Sequence, residues 1–149
     1  MLSLLVCLMF TGCSNSETNS TSRGLTDFAH IEEEYLATID SLNWPDGIAL
    51  PDKLEDEDTG ASFQVGYGET RASYLWEYSW MKEWLDTYNT DPERAEKALE
   101  ELEKAFDMPY MGIDRCDDAT RNYLRENIDK AKLDDPSGFT ERIRANYAN

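Results

Sequence analysis

Three of the four tryptophans in this chain, Trp76, Trp80 and Trp84, follow one another at intervals of four, and Tyr88 continues the row. They stand in residues 72–88, ASYLWEYSWMKEWLDTY. At about 100° per residue the row drifts around a helix instead of forming one straight stripe. Tyr74, Tyr78, Met81 and Leu85 widen the apolar arc to roughly 200°, more than the stripe a surface helix needs. A helix that apolar has to be covered from more than one side. The expected fold is all-α, a small bundle of about five helices around this Trp-rich rod, with an irregular extended segment at about residues 44–68.

The flanking sequence supplies the covering helices. In residues 26–42, Phe28, Ile31, Tyr35, Ile39 and Leu42 fall at three-and-four spacings, the helical signature. Thr26 or Asp27 can cap the start, and Pro45 ends the segment. Thr90-Asp91-Pro92-Glu93 is the clearest helix start in the chain, a capping acid followed by proline at the first helical position. Ala95, Ala98, Leu99, Leu102 and Phe106 share a face behind it, Glu93/Lys97 and Glu100/Lys104 are candidate ion pairs, and Pro109 bounds the segment. A further helix over about 119–133 turns Tyr123, Leu124, Ile128 and Ala131 inward, Asp135-Pro136-Ser137-Gly138 breaks it, and Phe139, Ile143 and Tyr147 mark a short last one.

Between the first two helices the chain reads as irregular. Trp44, Ile48 and Leu50 form an apolar strap over the core. Residues 52–60, DKLEDEDTG, fail as an EF-hand: with Gly60 at the turn position, Thr59 occupies a ligand position and Gly66 stands where a bidentate glutamate is required. In residues 61–68 Phe63, Val65 and Tyr67 alternate, but no partner strand is evident, so the stretch reads as an extended lead-in. Gly66 and Gly68 permit a tight entry into the central helix, capped by Thr70 or Glu69. A helix start of this kind can hold an anion, although its spacing matches neither a dinucleotide fingerprint nor a P-loop.

With 31 acidic residues against 14 basic ones the net charge is −17. That argues against nucleic acid, whose binding rests on Lys and Arg neutralising phosphates, and against a folded domain lying on an anionic membrane. No cofactor is indicated. His30 is the one histidine, which all but removes a His-based metal site. The cysteines are Cys7, Cys13 and Cys116. Only Cys116 falls in the expected domain, so packing and not a disulfide must hold it together. With no histidine nearby in sequence, Cys116 reads as a small buried residue.

Residues 2–10, LSLLVCLMF, are too few to span a bilayer, which takes about 20, and fit the apolar region of a secretory signal. Phe10-Thr11-Gly12-Cys13 resembles a bacterial lipobox, where cleavage precedes a cysteine that receives the lipid. Phe10 stands where leucine is usual, and a start codon further upstream would account for the missing basic residues before the run. The resemblance implies a signal peptide over 1–12, lipidation of Cys13, a Ser/Thr/Asn-rich flexible tether over 13–24 and a single helical domain over 25–149. It implies a lipoprotein, anchored to the cell membrane on its extracytoplasmic face, of the small kind common in Gram-positive bacteria.

Within the central helix Glu77 breaks the apolar arc, and a carboxylate there must be paired, hydrogen-bonded or protonated. Arg71, Arg115 and Arg121 are its candidate partners, and a functional carboxylate of raised pKa is the sharper reading. Trp76, Trp80 and Trp84 could instead be ligand-facing rings. No catalytic residue is assigned. The expected function is a non-catalytic binding or interaction domain for an unknown protein or cell-envelope ligand. The alternative is an extracytoplasmic glycan hydrolase using carboxylates such as Glu69, Glu77 and Glu83, which requires Glu77 to share an open cleft with a second acid.

Overall fold

The computed structural model describes residues 24–55 and 57–147. Among them are five α-helices, α1 Phe28–Ser41, α2 Tyr67–Thr87, α3 Pro92–Glu103, α4 Asp118–Ala131 and α5 Ser137–Tyr147. This is the all-α bundle that the apolar spacings predict. Single turns of 3-10 helix at Lys104–Asp107 and Pro109–Met111 join α3 to the loop before α4.

Three helices begin where a short acid can take the free N–H groups of a first turn. Asp27 accepts from the His30 N–H at 3.1 Å, Asp91 from Arg94 at 3.2 Å and Asp117 from Thr120 at 2.7 Å. The central helix α2 differs. It starts at Tyr67, earlier than the Trp-rich stretch, behind Gly66 at φ +88, and no side chain of its own caps it. Thr70 donates back to the Gly66 carbonyl at 2.9 Å, and Glu69 is engaged elsewhere. The cap comes from α1: Glu34 accepts from the Gly66 N–H at 2.8 Å and from the Gly68 N–H at 3.1 Å. A carboxylate suits the partial positive charge of a helix start. The anion at this glycine-rich turn is thus one of the protein's own side chains.

Helix α2 is covered by α1 on one side and by α3, α5 and the Pro109–Met111 turn elsewhere. Trp76, Trp80 and Trp84, each 1 % exposed, form the larger core with Met81, Leu102, Leu124 and Phe139. A smaller core joins Ile31, Tyr35 and Ile39 of α1 to Leu54 and Ala72. Trp44 packs against both. Two indoles also do polar work, since Trp76 and Trp80 donate to the same Asn43 carbonyl at 2.8 and 3.1 Å. They staple the chain just past α1 onto α2. Trp76→Phe is expected to cost about 1 kcal/mol for the lost bond, because Trp80 still satisfies that carbonyl. The Trp76→Phe/Trp80→Phe pair should exceed the sum of its singles, read by urea denaturation.

The intervening segment departs from expectation in two places. Phe63–Gln64 is not a lone lead-in but pairs antiparallel with Leu25–Thr26, Leu25 opposite Gln64 and Thr26 opposite Phe63. A two-residue strand carries too little alternation to announce itself. In the strap, Trp44 and Ile48 are half-buried as expected, but Leu50 is exposed. Leu54 takes the inward place, its N–H donating to Glu32 at 3.3 Å. Just past α3, Lys104 pairs with Glu101 at 2.6 Å and not with Glu100, and Lys97 of α3 lies over the Trp80 ring at 5.9 Å.

Candidate functional site

Glu77 is wholly enclosed, 0 % exposed. Its Oε1 accepts from the Nε of Arg142 on α5 at 2.6 Å and from Nη2 of the same guanidinium, and its Oε2 accepts from the Tyr110 hydroxyl at 2.8 Å. Burial pushes the Glu77 carboxyl above its ordinary range, against the pull of Arg142 and of the Tyr110 hydroxyl. Burial and then the Glu77 charge push the Tyr110 hydroxyl well up.

None of the three expected arginines is the partner. Arg115 bonds Glu69 at 2.7 Å. Arg121 donates to the carbonyls of Met111 and Cys116 and to Asp118, closing the loop before α4. Arg71 meets Glu57 at 3.4 Å. Arg142 lies three residues after the buried Phe139 and so on the same side of α5, but no local spacing ties that face to Glu77, 65 residues away.

The three carboxylates of the hydrolase alternative are not brought together. Glu69 belongs to Arg115, Glu77 to Arg142, and Glu83 to Arg94 at 2.7 Å. The tryptophans offer a ligand no face, since α3, α4 and α5 close over them. Their reading as ligand-facing rings gives way to a core. Cys116 is half-buried, with its Sγ 3.5 Å from the Met111 sulfur and its thiol pushed up chiefly by burial. Among the described residues no group of three or more His, Cys, Asp or Glu side chains is placed to hold a metal ion. No helix among them is long and apolar enough to cross a membrane. Cys13 and the signal segment lie outside the described residues.

A cleft of about 1040 Å³ opens beside the buried cluster. Its apolar surface comes from Tyr35 of α1, Leu54 of the strap and Leu75 of α2, and its polar surface from Lys53, Arg71 and Asn146. Tyr74 of α2 and Tyr123 of α4, each 37 % exposed, contribute half-open rings. Tyr123, expected inward, is turned to this cleft and carries the Arg142 guanidinium 5.6 Å from its ring centre. Tyr74 meets Tyr110 edge to face at 5.5 Å. Arg142 itself lines the cleft while holding Glu77 behind it.

Acidic side chains moor the strap that forms one wall. Glu32 of α1 holds Leu54, and Glu57 accepts from the Tyr67 hydroxyl at 2.8 Å while facing Arg71. The acid-rich stretch over 52–60, which fails as an EF-hand, therefore includes a tie between strap and α2. Among the described lining residues Glu55 is the one carboxylate, and Lys53 pairs with it at 2.8 Å. No protein-family model, curated protein or solved structure matches this chain.

Proposed function

We propose that this protein is a lipid-anchored binding protein of the extracytoplasmic membrane face, which holds a cell-envelope ligand or partner in the cleft without transforming it. The lining of the cleft carries this reading. Hydrolysis of a glycosidic bond uses two carboxyl groups facing one another across the substrate. The described lining has Glu55 alone, tied to Lys53, while the enclosed Glu77 is held by Arg142 and Tyr110. Aromatic faces beside a few polar groups in a concave surface are the ordinary composition of a binding site. For the anchor the support is the lipobox-like Phe10-Thr11-Gly12-Cys13 and the polar stretch after it.

Expression of the full chain in a bacterium fed radiolabelled palmitate tests the anchor. Label on the protein, recovery in the membrane fraction, accumulation of the unprocessed form under globomycin and loss of label in Cys13→Ala are expected. Unlabelled protein in the soluble fraction, or label that survives Cys13→Ala, would overturn it.

A further inference from the structure

If the cleft is the binding site proposed for the anchored domain, its lining also names the chemistry of what fills it. We infer that the cleft takes an anionic small molecule with a ring-shaped body, its acid group held by Arg71 with help from Lys53 and its ring stacked against Tyr74 and Tyr123.

The first ground is charge. The chain holds 14 basic residues against 31 acidic ones, yet the described lining carries Lys53, Arg71 and Arg142 against Glu55. Arg142 is committed to Glu77. Among the described residues the ion contact of Arg71 is a 3.4 Å approach of its Nε to Glu57, which leaves the two terminal nitrogens for a ligand. Such a fork matches a carboxylate or phosphate in two parallel hydrogen bonds. The Lys53–Glu55 pair is open to water, with both side chains more than half exposed, and exposed pairs yield readily to a competitor. Glu57 offsets part of the Arg71 charge, so an incoming anion competes with it, and the Tyr67 hydroxyl remains to Glu57 as a second partner. The net charge of −17 opposes anions at long range, but salt screens that field beyond about 8 Å at physiological ionic strength. The lining then decides.

The second ground is the pair of rings. Tyr74 and Tyr123 are half-open, and each is held from behind by the buried cluster. Tyr110, which donates to Glu77, packs its ring against Tyr74, and Arg142, which also donates to Glu77, lies over Tyr123. Stacking surfaces fixed in this way bind without first being ordered, which saves the usual loss of side-chain freedom. Glu77 holds both supports in place through its bonds to Arg142 and Tyr110. The volume, about 1040 Å³, lies just above the roughly 300–1,000 Å³ of small-molecule sites and suits a body of more than one ring.

Acidic sugars and aryl phosphates share this chemistry. The full chain is titrated with trigalacturonate, with its carboxyl-reduced trigalactose counterpart and with phenyl phosphate, following the ring protons of Tyr74 and Tyr123 by NMR. Trigalacturonate is expected to bind at least about tenfold more tightly than trigalactose. Arg71→Gln should lose at least about tenfold, the order a charged hydrogen-bond pair contributes, and Arg71→Lys should fall between. Phenyl phosphate binding with the same Arg71 dependence, while trigalacturonate fails, supports the site and names the other source. Equal binding of the neutral and acidic sugars, an unchanged affinity in a folded Arg71→Gln variant, or no response to any compound at millimolar concentration overturns the site. Failed titrations on a chain lipidated at Cys13 remove the anion site and leave the anchor standing, whereas an unlipidated chain that still binds does the reverse.

Discussion

Arg142→Ala is expected to lose about 3–5 kcal/mol of stability at neutral pH, the range for removing one partner of a buried ion pair, and to recover part of it on acidification. The loss comes from what remains. Without the guanidinium the carboxylate of Glu77, 0 % exposed, keeps the Tyr110 hydroxyl and little else. Burial already lifts its pKa above the ordinary 4.5, and the guanidinium is the first of the forces opposing that rise. Removing it lifts the carboxyl further. A carboxyl that binds its proton more readily folded than unfolded stabilises the fold when protonated, so stability falls as pH climbs from the unfolded value toward the folded one. The deficit of Arg142→Ala relative to wild type should therefore be largest near pH 7.5 and shrink toward pH 5. Adding Glu77→Gln should flatten that pH dependence. The triple change Glu77→Met/Arg142→Met/Tyr110→Phe, which removes every member of the cluster, should lie much closer to wild type, because a well-packed apolar replacement of a buried pair is often neutral. Urea denaturation across this pH range measures all of these. A deficit under about 1 kcal/mol, typical of an exposed pair, or one that does not change with pH, would mean that water reaches Glu77.

What could be read from the chain alone was what depends on neighbours three or four residues apart. The row Trp76, Trp80, Trp84 marks a buried rod whatever covers it, and Asp27 and Asp91 announce helix starts because a cap is a local hydrogen bond. Glu77 was recognisable as misplaced for the same reason. Its partner was not, because Arg142 stands 65 residues away and the choice depends on how α5 is rotated about its axis. Glu34 shows the same limit. Its acid reads as surface charge in α1, yet it caps a helix that begins more than 30 residues later. The cleft could not be anticipated at all. Its walls come from α1, the strap, α2, α4 and α5, and their meeting is a property of the packing, not of any one segment.

Gly68→Ala should be the most damaging alanine substitution among the described glycines, costing more than about 3 kcal/mol, beyond the usual range for overpacking a core. Local preference points the opposite way, since alanine in a helix is favoured over glycine by about 1 kcal/mol. The contact decides. A Cβ at this position would sit 1.8 Å from the Ile31 carbonyl oxygen, 2.8 Å from its carbon and 2.9 Å from the Tyr35 nitrogen. All three are backbone atoms of α1, so no rotamer change relieves the overlap and the whole helix must withdraw. Withdrawal would pull Glu34 from the Gly66 and Gly68 N–H groups and open the cluster of Ile31, Tyr35 and Ala72. Because Tyr35 also lines the cleft, the damage would reach the cleft wall. Gly66→Ala provides the comparison. There the overlap is with the guanidinium of Arg115, a side chain that can move, and what remains is the strain of φ +88, about 1–2 kcal/mol. Thermal and urea unfolding should rank Gly68→Ala well below Gly66→Ala. The reverse order, or a Gly68→Ala variant as stable as wild type, would mean that α1 and α2 do not cross at this point.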